Sequence, residues 1–173
     1  LPYESNSFPV ELMTLSAQDG VRMRATVSEF GPVLFSRILD LNDTQAGVVS
    51  VIFKYCDDKK MPLLDLKDVK KLINYITEEG KAEIAADYGK ISTSTTGIIL
   101  RKIIELEQQG GDIFFGEKSF EIDDLMRLDE NGKGYVNILR LTDIQDKPKL
   151  FSTFMLSLLA EIYQQMPEKG DVD

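Results

Sequence analysis

Between residues 28 and 109 the apolar side chains recur at intervals of three and four, and each run is bounded by cap or turn chemistry. That pattern commits the stretch to short amphipathic helices packed on one another. Ser28 opens the first, over 28–39, with Phe30, Val33, Leu34, Ile38 and Leu39 apolar and Pro32 tolerated in the first turn. Asp43 or Thr44 caps a second over 44–56. Its residues Val48, Val49, Val51, Ile52, Phe53 and Tyr55 surround most of the helix, which predicts burial on several sides. After Met61-Pro62, Asp65 opens 65–77, and a shorter helix, 79–88, stops at Gly89. Ser92 to Thr96 leads directly into Ile98, Ile99, Ile103 and Leu106 at helical spacing, so it reads as a helix start, with Gly110-Gly111 as the stop.

The remainder carries the few strand signals. Residues 9–15 and 21–27 alternate apolar and polar side chains around the turn residues Ala17 to Gly20, which predicts a short antiparallel hairpin. Residues 112–120 read as a loop with a brief extended piece, and 121–126 as a short helix. GYVNILRL, 134–141, is β-rich and apolar after a glycine turn, as in a buried strand. Residues 147–166 form the strongest helix, with a wide apolar face from Leu150 to Tyr163, ending at Pro167. The fold class is therefore mainly α with a few short strands: a hairpin region over 1–27, a helical lobe over 28–126, and a strand plus long helix over 134–173.

Several blocks resemble one family. They are Arg24 to Ser28 (RATVS), Gly31-Pro32, Leu41-Asn42-Asp43, Leu64 to Asp68 (LDLKD), Tyr88-Gly89, Leu106 to Gly111 (LEQQGG), Phe114 to Glu117 (FFGE), Asp129 to Leu139 and Tyr163 to Asp171. In this order they resemble the bacterial HerA-like helicase C-terminal family, a branch of the HerA/FtsK-type P-loop ATPases. The resemblance covers nearly the whole chain. It implies a parent that is an oligomeric, cytoplasmic motor binding ATP and Mg²⁺ and working on DNA. Neither nucleotide motif is in this sequence: no glycine-rich loop ends in Gly-Lys-Ser/Thr, and no apolar strand ends in Asp-Glu. In the family these motifs lie on either side of the matching segment, so the expectation is a single middle segment of the ATPase, over 1–173, whose strand and long helix in 134–173 belong to the ATPase core. Its opening Leu1-Pro2-Tyr3, without an initiator Met, fits that expectation. Such a piece holds no cofactor of its own, and its partners are its own ATPase core and further copies of the same chain. The alternative is a free-standing helical adaptor in which the apolar face of 147–166 is the groove or the guest.

Composition narrows the chemistry. There is no histidine, which removes the commonest metal ligand and the commonest general base at neutral pH. No apolar run approaches the roughly 18 residues of a membrane span. The formal charge is −9, spread along the chain, which makes this piece a poor binder of DNA even where its parent works on it. Lys67, Lys70 and Lys71 share a helix face, with Lys59 and Lys60 nearby; Asp65 and Asp68 balance them as a solvated surface. Cys56, in an apolar run, reads as a buried structural thiol.

Two local patterns invite sharper readings. Asp129 to Val136 imitates the start of a calcium loop, but Lys133 occupies its fifth position and Arg140 its twelfth, so no metal site is assigned. Ring-shaped ATPases place an arginine from one subunit beside the phosphates held by its neighbour. Ligands of open α/β sheets lie beyond the carboxyl ends of the strands. Of Arg22, Arg24, Arg37, Arg101, Arg127 and Arg140, the last stands at such an end with Thr142 and Asp143, and these three are the nucleotide-proximal candidates. No residue is assigned a catalytic role. The pairs Asp57-Asp58, Glu78-Glu79 and Asp123-Asp124 read as solvated helix ends, since adjacent helical residues do not face one another.

Overall fold

Helix starts in this chain are fixed by side chains that take up the first free N–H groups. The computed structural model describes residues 7–165, so Leu1-Pro2-Tyr3, Met166-Pro167 and the block running to Asp171 lie outside the described residues. In α1 (Val27–Ile38) the Thr26 hydroxyl accepts from Glu29 N at 3.1 Å, and the Glu29 carboxylate accepts in return from Thr26 N at 3.1 Å. Asn42 and Gln45 make the same reciprocal pair ahead of α2 (Asp43–Lys59), at 3.0 and 3.1 Å. These reciprocal boxes satisfy two donors at once. The predicted caps therefore move, from Ser28 to Thr26 and from Asp43 or Thr44 to Asn42. Ser28 instead ties α1 to the connection after α2, its hydroxyl accepting from Leu63 N at 2.8 Å. Asp65 does cap α3 (Leu66–Thr77), accepting from Lys67 N and Asp68 N at 2.8 and 3.0 Å.

Pro32 breaks α1 as well as being tolerated in it. A residue before proline is pushed out of the α region, and Gly31 accommodates this with φ 72° and ψ 164°, so α1 is two helical pieces joined by a kink. The later helices follow the periodicity: α4 (Lys81–Asp87), α5 (Thr93–Gln108), then α6 (Gly111–Phe114), a one-turn helix in place of the predicted loop. An extended residue, Phe115, follows, and 122–126 is a tight 3-10 turn. α2 is buried through Val49, Ile52, Phe53, Tyr55 and Cys56, as its all-round apolarity requires. Phe30, Phe35, Phe114 and Phe115 meet edge to face beneath it, with ring centroids 4.9 to 6.1 Å apart. Phe114 also reaches Phe154 of α7 (Pro148–Gln165), which closes over α1 and the 122–126 turn.

The hairpin is not formed. β1 (Val10–Thr14) and the two-residue β2 (Val21–Arg22) run parallel, Met13 opposite Val21 and Thr14 opposite Arg22. Leu15 to Gly20 fold back alongside β1 before the chain sets off in the original direction. Gly20 permits this: its φ is 144°, and a Cβ there would stand 2.8 Å from the Leu12 carbonyl oxygen. The alternation in 21–27 is genuine but serves two partners. Met23 N donates to Thr14 O, and Ala25 then pairs with Phe115, carrying the chain from sheet to helical lobe.

β3 (Val136–Arg140) joins the other side of β1 in parallel, Val10 opposite Val136 through Thr14 opposite Arg140, giving the sheet order β2-β1-β3. It is not the buried strand that its composition suggests. Val136 and Ile138 keep 46% and 44% exposure, because only one face of the sheet is covered.

Candidate functional site

Parallel strands bring their carboxyl ends to one edge, and partners opposite one another share a face. Arg22, Thr14 and Arg140 therefore form a row across the end of this sheet, with the buried threonine between two arginines. The Thr14 and Ser16 hydroxyls lie 3.0 Å apart, and Ser16 N and Gln18 N donate to Thr14 Oγ1 and Ser16 Oγ, so the loop after β1 is pinned by its own side chains. Arg140 Nη1 donates to the Asp19 carbonyl at 3.3 Å, holding the half-buried guanidinium over that loop. Thr142 is exposed in the 142–144 turn directly after β3, and Asp143 lies in the same turn. The structure thus adds Arg22 to Arg140, Thr142 and Asp143. In the predicted hairpin around Ala17 to Gly20, Arg22 would also stand at this end of β1, but opposite Leu15 and out of line with Thr14. The shared Val-Arg and Leu-Arg endings of β2 and β3 are the available signal.

The other arginines divide by partner. Arg127 pairs with Glu11 and lies over the Tyr135 ring, 4.5 Å from its centroid. Arg24 Nη2 donates to Phe115 O at 3.1 Å beneath the aromatic cluster. Arg37 and Arg101 are exposed, without ion pairs among the described residues.

The row is followed along the same face of the sheet by bare apolar residues. Val10 and Leu12 of β1 share that face with Val136 and Ile138 of β3, and all four are 43 to 56% exposed. The opposite face carries Glu11, Met13 and Asn137 and is covered. Strands of parallel sheets are ordinarily buried on both faces.

Two further sequence patterns resolve into structure. The Asp129 carboxylate accepts from Asn131 N and Lys133 N at 2.9 and 2.7 Å, and these bonds, the Lys133 one foremost, hold its carboxyl below the ordinary aspartate range. The turn is closed by its own backbone, and no group of three potential metal ligands occurs among the described residues. Cys56 is buried, and burial first, with Asp57 and Asp68 behind it, pushes its thiol up to about 11, so it carries no thiolate chemistry at neutral pH.

A model of the family described as helicase HerA-like C-terminal matches residues 1–173. The chain belongs to that family. No curated protein and no solved structure matches it. Membership makes this HerA-like chain a helicase- or ATPase-related domain. Its residues do not fit a self-contained site for ATP and Mg²⁺. The glycine at the carboxyl edge, Gly20, abuts the Leu12 carbonyl, no lysine directly follows it, and the sequence holds no glycine-rich loop ending in Gly-Lys-Ser/Thr. No described helix is long and apolar enough to cross a membrane.

Proposed function

We propose that this chain is the helical interaction sector of a HerA-like ATPase, packing through its sheet onto the nucleotide-binding core and catalysing nothing alone. The supporting observation is the bare face of the parallel sheet, Val10, Leu12, Val136 and Ile138, which has the composition of a surface meant to be covered. On this reading ATP and Mg²⁺ are held by the core, the working form is a homo-oligomer, and DNA is handled elsewhere than on this acidic surface. Arg140 and Arg22 then stand at the end of the docked sheet where a neighbouring nucleotide would lie, with Thr142 and Asp143 beside them. Their role would be to place positive charge near transferring phosphate, without holding it.

The test starts from the 173-residue chain. Light scattering should show self-association that Val10→Lys with Ile138→Lys abolishes, the circular dichroism being unchanged. The same pair should prevent assembly with the remainder of the ATPase supplied separately. Isothermal titration with Mg-ATP should register nothing for the chain alone. Micromolar binding, or assembly indifferent to the lysine pair, would overturn the proposal. The adaptor reading has its own supporting observation, the stripe Leu156, Leu159 and Tyr163 on α7, exposed at 40, 57 and 89%. Leu159→Glu with Tyr163→Glu is its discriminating variant: loss of assembly there and not at the sheet would favour it.

A further inference from the structure

A cleft of about 360 Å³ opens between α1 and the first turns of α7. Its floor is fixed, since Phe30 and Ile38 are buried and the Phe30 ring meets Phe114 and Phe115 edge to face. Leu34 and the exposed Leu156 give it apolar walls. On the α7 side it is lined by two hydroxyls, Ser152 and Thr153. Thr153 is only 7% exposed, and its hydroxyl has no hydrogen-bond partner among the described residues. Other helical hydroxyls of this chain behave differently: those of Ser50, Thr77 and Thr96 each donate to a carbonyl three or four residues back. A polar group buried without a partner is costly unless something outside the chain satisfies it, and this one borders the cleft.

Arg37 and Lys149 bring positive charge to the same cleft. Arg37 has no ion pair among the described residues, and the Glu105 carboxylate that Lys149 meets at 3.3 Å is shared with Lys102 at 3.8 Å. Asp40 is the one lining carboxylate. Lining residues and their ion-pair partners together set Arg37, Lys102 and Lys149 against Asp40 and Glu105, a positive excess in a chain of net charge −9. The first turn of α7 carries no acid, so the positive end of its dipole adds to that excess.

A guanidinium, an ammonium and two hydroxyls therefore border one apolar-walled cleft. The two oxygens of a carboxylate cannot engage all four donors, whereas the three of a phosphate monoester can, and the planar fork of an arginine matches two of them. We infer that this cleft binds a small phosphate monoester, its phosphate among Arg37, Lys149, Ser152 and Thr153 and its apolar body against Leu34 and Leu156. The cleft lies on other elements than the bare sheet face, so it stands whether or not that sheet meets an ATPase core. Its affinity, roughly millimolar for so small a ligand in an open cleft, leaves the micromolar criterion set for Mg-ATP untouched.

The test is titration of the isotope-labelled whole chain with phenyl phosphate, followed through amide chemical shifts. The amides from Lys149 to Leu156 and that of Arg37 should shift saturably, with inorganic phosphate and benzyl alcohol each binding at least about tenfold more weakly. Arg37→Gln, at an exposed position, should weaken phenyl phosphate about tenfold, and Thr153→Val, which keeps the side-chain shape, about fivefold. Asp40→Asn removes the opposing charge at a left-handed position that Asn tolerates, φ 54°, and should tighten binding about twofold. All three variants should keep the wild-type circular dichroism. Shifts that never saturate or that spread equally over α3, an equal affinity for inorganic phosphate or benzyl alcohol, or a Kd that neither Arg37→Gln nor Thr153→Val moves would each overturn the inference.

Discussion

Phe35, Ile99, Ile103 and Phe115 in the helical lobe are fully buried, whereas Val10, Leu12, Val136 and Ile138, residues of the same kind in the sheet, keep about half their surface. The lobe closes on itself because its helices present narrow apolar stripes that neighbours can cover. The strands present two apolar faces, and this chain supplies cover for one. Apolarity thus has two meanings within one molecule: in the lobe it is core, and in the sheet it is half of an interface. Core substitutions should therefore separate the two regions most widely. Phe35→Ala is expected to cost about 3–5 kcal/mol, while Ile138→Thr should stay within about 0.5 kcal/mol, both read from urea denaturation midpoints. Equal costs would mean that the sheet face is covered in the isolated chain, by a second copy or otherwise.

The junction between the regions gives the next effect. Gly20 has φ 144° and meets the Leu12 carbonyl oxygen, so Gly20→Ala should cost about 1–3 kcal/mol by combined backbone strain and crowding. Hydrogen exchange would locate the damage in β1 and β2, with the amides of α3 and α5 unchanged. If α3 and α5 lose protection too, sheet and lobe unfold as one unit and the contrast drawn above is only one of exposure.

A smaller effect tests the lobe alone. Asn42 and Gln45 form the reciprocal cap of α2, and Asn42→Ala should cost about 1 kcal/mol in thermal unfolding, against little for Thr44→Ala. The reverse ranking would restore the cap position expected from sequence.

Helix existence and burial are legible in the sequence because periods of three and four survive whatever the tertiary contacts do: α2, α3, α5 and α7 lie where the pattern puts them. Caps shift by one or two residues, because Thr26 and Asn42 are each followed three residues later by the Glu or Gln that closes a reciprocal box, whereas Ser28, Asp43 and Thr44 are not. The direction of β2 is illegible for a related reason. Alternation in 21–27 reports a half-buried extended segment but not its neighbour, and here the neighbour changes from Thr14 to Phe115 within three residues. Arg140 is legible from its place after an apolar run. Arg22 is hidden because its register opposite Thr14 follows from the parallel pairing of β2, and Lys67 and Lys71 lack the partners that the sequence suggests because Asp65 and Asp68 serve as caps.

Acid provides the smallest and most local test of the two-region view. Burial pulls the Glu29 carboxyl upward, but hydrogen bonds from Thr26 and Lys118 outweigh it and hold the group below the ordinary glutamate value; Asp129 is lowered by the N–H groups of its turn. A carboxyl whose folded value is depressed stabilises the fold fully above its unfolded value, near 4, and that contribution disappears as pH falls through the folded value. Both groups should therefore leave neutral and alkaline stability unchanged and matter only below about pH 5. Glu29 caps a helix of the lobe, whereas Asp129 shapes the turn that feeds β3, so their effects should be spatially separate. Glu29→Gln is expected to flatten the acid loss of protection in α1, and Asp129→Asn that in β3, each leaving the other region's pH profile as in the unsubstituted chain. Measured by amide exchange between pH 2 and 6, a flattening shared by both regions in either variant would show that acid loosens the molecule as a single unit.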